Sequence, residues 1–436
     1  MLQRIKELSE KFLKESEGKK ILIISHHDTD GITSASILAS CLQKLDRNFS
    51  IRIVKQLEKE YIKELPKDRI LFFLDLGSAA IKELEELENK VYILDHHETE
   101  NIPKKVNIVN PCLNEEEKLC GACLTYLFAK EIDEENTSLA NLAIIGMVGD
   151  MMDKNIGKIG NTIINDADMI IKKGLLLYPA TRPINKTLEY SSALFIPGVT
   201  GSGTGALNML RDIGIGTKDG RYKSLIELDE EEMSKLITAI VLRTNKREVS
   251  EFIGNIFLVK ILNKLEDARE MSAMINACSR LGKSHVALSL CMNSREARKN
   301  AEEVYVKYKQ HLVQGLNIVA ELDKIEGENY IIINAKNTIK DTIIGTIASI
   351  LSVSCTYKEG TAIIAMAHNE EKIKVSARIA GRNGKNIREI LDSVVEEVGG
   401  ESGGHAMAAG CLIHKEKEQD FIEALKKKLE IELIKV

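Results

Sequence analysis

Short apolar runs alternate with helical patterns over the first 150 residues of the chain. The runs rich in β-branched and aromatic residues are Lys20–Ser25, Ile51–Val54, Arg69–Leu76 and Lys90–Leu94. Continuous apolar runs of this length are typical of strands that are buried on both faces of a parallel sheet. The alternation therefore predicts a mainly parallel sheet with helices on both of its faces.

A mostly helical pattern follows, from about Met151 to Ala320. Within it we predict helices at Asn208–Arg211 and Glu230–Thr244, and one long connector helix at Ser294–Asp323. After Glu328 the alternation of strands and helices begins again. The strands predicted there are Tyr330–Asn334, Thr361–Ala367, Ile373–Ile379 and Ala408–Ile413, and the helices are Asp341–Leu351 and Ile387–Val398. The chain is thus expected to be an α/β protein with a second, smaller α/β domain.

Composition and charge narrow the possible classes of protein. The 436 residues are 44% hydrophobic and 29% charged, with a net charge of −5, so a general polyanion binder is not expected. No apolar run approaches the roughly 18–20 residues that span a bilayer. The amphipathic start lacks the apolar region of a signal peptide. We expect a cytoplasmic protein with no membrane partner, whose eight cysteines are reduced.

Acidic and histidine side chains follow the apolar runs. They are His26, Asp28 and Asp30 after the first run, Asp75 in the third, Asp95, His96 and His97 after the fourth, and Asp150 at the end of LAIIGMVGD. Parallel sheets bind ligands at the carboxyl ends of their strands, and we interpret all four positions as strand ends. A single Asp after a strand is usually a helix N-cap, and a single His is usually structural. The prediction of a common site therefore rests on the occurrence of such residues at all four positions together.

This set of side chains suits divalent cations. Several Asp with a few His and no Cys favour Mn²⁺ or Mg²⁺ over structural zinc, and the imidazoles favour Mn²⁺. So many carboxylates would repel one another without cations. Two ions about 3.5–4 Å apart would relieve the repulsion and hold a phosphoryl group between them. The CxxC segment Cys120–Cys123 has no second cysteine pair, so we expect a packed helix start there and not a zinc site.

The order of these motifs resembles the DHH phosphoesterase superfamily. The motifs are His26-His27-Asp28-Thr29-Asp30-Gly31, Leu74-Asp75-Leu76-Gly77, Asp95-His96-His97 and Gly149-Asp150. Near the far end, Gly403-Gly404-His405 and the residues up to Gly410 resemble the GGH signature of the DHHA1 accessory domain. Within the superfamily the chain is similar to the RecJ-like single-strand exonucleases. It is most similar to their compact archaeal branch, which includes a nuclease that associates with the GINS replication complex.

The resemblance implies a site that holds two metal ions. One ion would be held by His26, Asp28 and Asp75, and the second by Asp30, Asp75, His96 and Asp150. Asp75 would bridge the ions, and His97 would donate a hydrogen bond to the scissile phosphate, so these two residues are the expected catalytic pair. Bacterial RecJ usually has an Asp where this chain has His26. The sequence therefore leaves open whether His26 or His27 reaches a metal.

A basic segment near the end of the chain is the candidate for substrate binding. Residues Lys372–Arg388 include six basic side chains and no acidic one, as expected of a phosphate-binding surface, although a solvated strand–turn–helix face is the alternative. The resemblance implies that Ser376, Arg378, Gly403, Gly404 and His405 hold the substrate end. It also implies a phosphate contact from Arg280, in the segment Asn276–Arg280.

The predicted organisation is a DHH catalytic domain at 1–175, a helical middle segment and connector at 176–305, and a DHHA1 substrate-binding domain at 306–436. The leading hypothesis is a single-strand exonuclease that acts on DNA, RNA or both. A phosphodiesterase of short oligonucleotides or dinucleotides is the alternative among enzymes. A replisome scaffold that binds GINS is the alternative from another class, although such scaffolds lose metal ligands that this chain retains. Inorganic pyrophosphatase ranks low because it lacks a GGH domain.

Overall fold

The computed structural model of this chain describes residues 1–99, 103–114, 116–191, 194, 196–244, 252–353, 357–381 and 383–430. The chain forms two compact units. The first consists of Met1–Thr187 with Leu207–Tyr305, and the second of Leu188–Ala206 with Val306–Val436. Among the described residues, no helix is both long and apolar enough to cross a membrane.

The helices and strands run as follows through the first half of the chain. The α-helices are α1 Leu2–Glu15, α2 Thr29–Lys44, α3 Lys59–Lys63, α4 Ile81–Glu85, α5 Gly121–Ile132, α6 Ala140–Gly149, α7 Lys158–Asp166, α8 Ile184–Glu189 and α9 Gly203–Asp212. The strands are β1 Lys20–His26, β2 Phe49–Val54, β3 Arg69–Leu74, β4 Val91–Leu94, β5 Asn107–Val109, β6 Met169–Leu175, β7 Thr217–Lys218 and β8 Arg221–Tyr222.

The second half continues the numbering. Its α-helices are α10 Glu230–Val241, α11 Ala268–Arg280, α12 Ser284–Cys291, α13 Arg295–Glu321, α14 Asp341–Val353, α15 Ile387–Val398 and α16 Glu418–Glu430. Its strands are β9 Ile253–Ile261, β10 Lys264–Asp267, β11 Ile325–Glu326, β12 Tyr330–Asn334, β13 Ala362–Asn369, β14 Lys372–Ile379, β15 Glu401–His405 and β16 Ala408–His414. Short 3₁₀ helices lie at Ser78–Ala80, Pro111–Asn114, Glu134–Leu139, Met152–Lys154, Leu225–Glu227 and Lys415–Lys417.

The first unit is built on a five-stranded parallel sheet in the order β2-β1-β3-β4-β5. One face buries Leu71, Phe73 and Ile93 with apolar residues of α3 and α4. On the other face, Phe72 of β3 packs against Phe12 of α1, with ring centroids 5.1 Å apart. Both faces are therefore covered, which explains why these strands are continuous apolar runs. The predicted parallel sheet between helices is confirmed.

A second sheet in the first unit was not expected from the sequence. Strands β10, β9 and β6 form an antiparallel sheet in that order, inside the segment that we interpreted as mostly helical. The prediction was wrong there because β6 and β9 are far apart in sequence, and their pairing is a tertiary event that local periodicity does not report. The helices α9, α10 and the long α13 do lie in the predicted regions.

The second unit contains a six-stranded mixed sheet in the order β11-β12-β13-β14-β16-β15. Strands β12 and β13 are parallel, and the other pairs are antiparallel. One face buries Val375, Ala377 and Cys411 against apolar residues of α15 and α16. On the opposite face, α14 packs on β13 and β14. The predicted second α/β domain is confirmed, with β15 as an edge strand that the sequence pattern did not reveal.

Candidate metal centre

The loop after β1 begins the site. Asp28 is the N-cap of α2, and its side chain accepts a hydrogen bond of 3.0 Å from the backbone amide of Gly31. Asp30 lies in the first turn of α2 and is completely buried. Its carboxylate accepts hydrogen bonds from the amides of Gly121 at 2.6 Å and Ala122 at 2.8 Å, at the start of α5. The N-terminus of α5 therefore compensates part of the charge of Asp30.

Asp75 occupies the centre of the site, directly after β3. Its backbone lies in the left-handed region with a φ of 56°, a conformation that an L-residue adopts at an energetic cost. One carboxylate oxygen, Oδ2, lies 3.3 Å from Nδ1 of His26. The other, Oδ1, lies 3.2 Å from Nε2 of His96. The two oxygens of one buried side chain thus face different histidines.

Among the described residues, potential ligand atoms form three groups that share Asp75, and one of them joins Asp75 to His96 and His97. Atoms of His26, Asp28 and Asp75 lie within 4.8 Å of one another, and so do atoms of Asp30, Asp75, His96 and Asp150. These are the two sets that the resemblance implied. His26 belongs to the first group, whereas the ring of His27 packs edge-on against the ring of His26, with centroids 4.6 Å apart. The geometry therefore favours His26 as the ligand.

The electrostatics of the cluster fit divalent cations. Burial raises the pKa of Asp30 well above its usual value, and the negative charges of Asp75 and Asp150 raise it further. Burial and the charge of Asp28 likewise raise the pKa of Asp75. Ionised carboxylates so close together in a buried site are unfavourable unless cations neutralise them. Oxygen and imidazole donors in this mixture suit Mn²⁺ or Mg²⁺.

The two histidines take up positive charge when no cation is bound. Burial would lower the pKa of His26, but hydrogen bonds to Asp28 and Asp75 outweigh burial and raise it to about 11. For His96, the carboxylates of Asp150 and Asp75 outweigh burial in the same way and raise the pKa to about 12. The site therefore attracts positive charge strongly, and protons and metal ions compete for the same imidazole nitrogens.

Asp150 lies at a different kind of element from the one we predicted. Asp150 follows the helix α6 and not a strand. Its backbone amide donates a hydrogen bond of 3.0 Å to the carbonyl of Gly146 in that helix. The apolar stretch before it forms a helix because it is buried on all sides in the first unit, and periodicity cannot distinguish such a helix from a buried strand. The Asp150 carboxylate nevertheless lies 3.1 Å from Nε2 of His96.

His97 is placed differently from His96. Its Nδ1 donates a hydrogen bond of 2.7 Å to Asp95, and its side chain is 54% exposed. Burial would raise the pKa of Asp95, but the hydrogen bond to His97 outweighs burial and lowers the pKa to about 2, so this carboxylate is ionised. An ionised acceptor fixes the proton on Nδ1. The opposite ring nitrogen, Nε2, remains for a ligand outside the cluster.

Residues with no predicted role as metal ligands hold this constellation together. Asp95 is buried and orients His97, and Asn110 bonds to the backbone of His97 at 2.8 Å. On α11, the side-chain oxygen of Asn276 accepts a hydrogen bond of 3.1 Å from the amide of Thr29, between Asp28 and Asp30. Asp95 and Asn276 lie in sequence motifs, whereas the only sequence signal for Asn110 was its polarity at the end of an apolar run.

The second unit brings most of the predicted substrate-binding residues onto one face of its sheet. The register pairs Ser376 with Gly410 and Gly410 with Gly403, and it pairs Arg378 with Ala408 and Ala408 with His405. Directly opposite residues share a face, so Ser376, Arg378, Gly403 and His405 lie on one face, about 10 Å apart across the strands. Gly404 belongs to the other face.

Arg378 and Ser376 lie at the border of α14 on this face. Arg378 donates from Nε to Ser349 at 3.0 Å and from Nη1 to the carbonyl of Ala377 at 2.8 Å. Ser376 is nearly buried, and an added Cβ on Gly345 of α14 would lie 3.1 Å from its hydroxyl. Beyond α14, Gly403 and His405 are exposed. We call this face, formed by Ser376, Arg378, Gly403 and His405, the glycine shelf.

The remaining predicted residues have separate positions. Arg280 is the last residue of α11, four residues after Asn276 and therefore on the same side of the helix. Of the six basic residues in the segment Lys372–Arg388, Arg382 lies outside the described residues. Arg388 donates to both oxygens of Asp392, at 2.8 and 2.7 Å, and to the carbonyl of Gly404 at 3.2 Å. Part of the basic segment therefore supports β15.

Three family profiles match this chain. The DHH family N-terminal domain matches residues 20–147, the DHH-CID domain matches residues 177–254, and the DHHA1 domain matches residues 327–430. An uncharacterized protein of Methanocaldococcus jannaschii is 30% identical over 97% of this chain and 97% of its own length. This chain belongs to the DHH/DHHA1 family of phosphoesterases. The resemblance seen in the four motifs and the GGH signature is thereby confirmed.

Relatives of this DHH-family protein include RecJ. The single-stranded-DNA-specific exonuclease RecJ of Bacillus subtilis is 31% identical over 31% of this chain and 20% of its own length. RecJ of Thermus thermophilus in complex with Mn²⁺ shares the fold with a TM-score of 0.61 at 18% identity, over 98% of this chain and 54% of that chain. CDC45 of Entamoeba histolytica gives a TM-score of 0.68 at 14% identity, over 98% and 99% of the two chains. The chain thus spans about half the length of the Thermus RecJ.

Proposed function

We propose that this DHH-family protein is a single-strand-specific exonuclease that hydrolyses phosphodiester bonds in DNA, RNA or both, with two divalent metal ions as cofactors. Mn²⁺ is the preferred ion and Mg²⁺ the alternative. The observation that carries the proposal is the position of Asp75, which presents one oxygen to the group of His26 and Asp28 and the other to the group of His96 and Asp150. A shared carboxylate between two ligand groups is the arrangement of two-metal phosphodiesterases.

The residues that would hold the ions are His26 and Asp28 on one side, Asp30, His96 and Asp150 on the other, and Asp75 between them. Ions bound there supply Lewis acidity at the phosphoryl group and activate water as the nucleophile. His97 contributes a hydrogen bond from Nε2 to a phosphoryl oxygen, where negative charge increases during the reaction. Since Nδ1 already donates to Asp95, Nε2 carries a proton only in the doubly protonated ring, and the hydrogen bond to Asp95 favours this form because it raises the pKa of His97.

The glycine shelf is the proposed binding surface for the end of the strand. Gly403 and Gly410 lie opposite each other and carry no side chains, so a phosphate can approach the backbone between Arg378 and His405. Aromatic residues make up only 4% of the chain and Trp is missing from the sequence, which disfavours an extended base-stacking surface. Backbone phosphates would then be the main contacts, with little preference for base sequence. We propose residues 1–175 as the catalytic domain, 176–305 as the middle segment and 306–436 as the substrate-binding domain.

The test is the digestion of single strands of DNA and RNA, labelled at the 5′ or the 3′ end, with Mn²⁺ or with a chelator. Asp75→Ala should abolish metal-dependent cleavage. Asp68→Ala is the matched control, because Asp68 precedes the same strand β3 at its other end and is 59% exposed. Stepwise shortening from one end supports the proposal and gives the polarity. Cleavage of dinucleotides and short oligonucleotides alone would replace it with the short-oligonucleotide alternative.

A replisome scaffold that binds the GINS complex is the second candidate function. The fold shared with CDC45 over almost the whole of both chains fits this candidate as well as the fold shared with RecJ fits a nuclease. The complete set of ligand side chains favours catalysis. If no single strand is cut with Mn²⁺ while purified GINS binds the chain, the scaffold becomes the preferred function.

A further inference from the structure

Asn110 is a buried amide that lies outside the four DHH motifs and the GGH signature. It follows β5 directly and is only 4% exposed. Its Nδ2 donates to the hydroxyl of Ser78 at 2.8 Å and to the carbonyl of His97 at 2.8 Å. Its Oδ1 accepts from the amide of Cys112 at 2.8 Å. Both donor positions and the acceptor of this side chain are therefore used by three different segments of the first unit.

Ser78 connects Asn110 to the carboxylate that holds the ring of His97. The backbone amide of Ser78 donates to Asp95 Oδ2 at 2.9 Å, while Asp95 Oδ1 accepts from Nδ1 of His97 at 2.7 Å. Asn110, Ser78 and Asp95 are all buried. His97 is thus held at two points, its carbonyl by Asn110 and its ring by Asp95, and Ser78 links the two. The side chain of His97 is nevertheless 54% exposed.

We propose that Asn110 is a positioning residue, which fixes the backbone of His97 so that the ring Nε2 reaches the phosphoryl group of the substrate. This inference rests on the function proposed above. Asn110 lies in the loop after β5, Ser78 in the short helix after β3 and His97 in the loop after β4. The side chain of Asn110 joins these three segments at the carboxyl edge of the sheet. It can therefore fix the position of His97 relative to the proposed metal ligands. In the described part of the chain, the side chain of Asn110 forms hydrogen bonds with Ser78, His97 and Cys112 and with none of the six proposed ligands.

The same strand supplies a matched control. Asn107 is the first residue of β5, is 6% exposed, and also donates from its side chain to a backbone carbonyl, that of Val91 at 3.0 Å. It lies at the amino end of the strand and takes no part in the network around His97. Asn107 also accepts a hydrogen bond of 2.7 Å from Lys11. Replacing either Asn therefore removes hydrogen bonds at one end of β5, and both variants lose stability for the same reason. Only replacement of Asn110 should change the chemistry.

The experiment compares Asn110→Asp, Asn110→Ala and Asn107→Ala in the full chain. Asn110→Asp keeps the size and the acceptor but loses both donors. Displacement of a reacting group by about 1 Å can lower a rate by about 100-fold, so we expect kcat of both Asn110 variants to fall about 10- to 100-fold. KM should stay within about twofold, because the contacts that bind substrate elsewhere are unchanged. Mn²⁺ binding, measured by electron paramagnetic resonance, should equal that of the wild type.

Three results would overturn the inference: unchanged kcat in both Asn110 variants, an equal loss of kcat in Asn107→Ala, or a loss of Mn²⁺ binding along with kcat. A crystal structure of Asn110→Ala separates this inference from the proposed function. A displaced His97 beside unmoved His26 and His96 would support positioning even if no nucleic acid is cut. His97 in its original place would refute it whatever the activity.

Discussion

Asp30 and Gly121 are joined by a hydrogen bond of 2.6 Å, from the backbone amide of Gly121 to Oδ2 of Asp30, across 91 residues of sequence. This bond places a buried carboxylate of the cluster on the N-terminus of α5. It is possible only because Gly121 has no side chain. A Cβ there would lie 2.8 Å from Cβ of Asp75 and 2.9 Å from Oδ2 of Asp30. One glycine therefore sets the separation of two proposed metal ligands.

Gly121→Ala should weaken metal binding and abolish most of the activity. Overpacking of this kind costs about 1–3 kcal/mol of stability, and relief of the clash has to move Asp30 or Asp75. Mn²⁺ titration and thermal melting measure the two effects. Gly216→Ala is the control, since a Cβ on Gly216 has no neighbour within 4 Å. Normal Mn²⁺ affinity in Gly121→Ala would contradict the close approach.

The two ligand groups should be separable by metal stoichiometry. Asp28→Asn changes only the group with His26, and Asp150→Asn changes only the group with His96. Each variant should bind one Mn²⁺ ion fewer than the wild type, whereas Asp75→Asn should lose both, because Asp75 belongs to both groups. Counting bound Mn²⁺ after gel filtration gives the answer. Equal stoichiometry in Asp28→Asn and Asp75→Asn would argue against a bridging role.

Substitution of Arg378 should affect substrate binding and leave metal binding intact. Arg378 is held by Ser349 and by backbone carbonyls on the glycine shelf, so its position is fixed before substrate arrives. Loss of one guanidinium–phosphate contact removes about 1.5–3 kcal/mol, and KM of Arg378→Ala should rise by about 10-fold or more. The control is Lys427→Ala, an exposed residue of α16, which covers the opposite face of the sheet. An unchanged KM would count against the shelf as the phosphate site.

The contribution of Asp392 to stability should depend on pH. Burial would raise the pKa of Asp392, but hydrogen bonds from Ser402 and Arg388 outweigh burial and hold it below the usual value of 3.8. A carboxyl with a lowered pKa in the folded state stabilises the protein above pH 3.8, and this stabilisation is lost as the pH falls below that value. Asp392→Asn should therefore melt at a lower temperature than the wild type at neutral pH.

The melting difference between Asp392→Asn and the wild type should narrow as the pH falls below 3.8. Asp420→Asn serves as the control, because Asp420 is 60% exposed and forms a surface ion pair with Lys417 three residues away. A melting-temperature difference that increases as the pH falls would contradict the hydrogen bonds from Ser402 and Arg388 to Asp392. Asp392 also holds Ser402 at 2.5 Å, so the same variant tests how firmly β15 and its glycines are anchored.

The sequence alone determined the parallel sheet and the side chains of the cluster. Buried parallel strands have continuous apolar sequences, which a single sequence shows. The motifs that follow them are local in sequence, so His26, Asp28 and Asp30 could be identified from the sequence. The order of the four motifs then pointed to the family. These features depend on neighbours along the chain, which a single sequence contains.

Only the tertiary structure decided which groups meet. It showed Asp150 at the end of a helix, paired β6 with β9, and brought Gly121 to Asp30 and Asn110 to His97. Each of these contacts joins segments that are far apart in sequence, and the polarity of a residue does not indicate which distant donor it will meet. Hydrogen bonds and strand pairs are selected by closeness in space, which exists only after the core has packed.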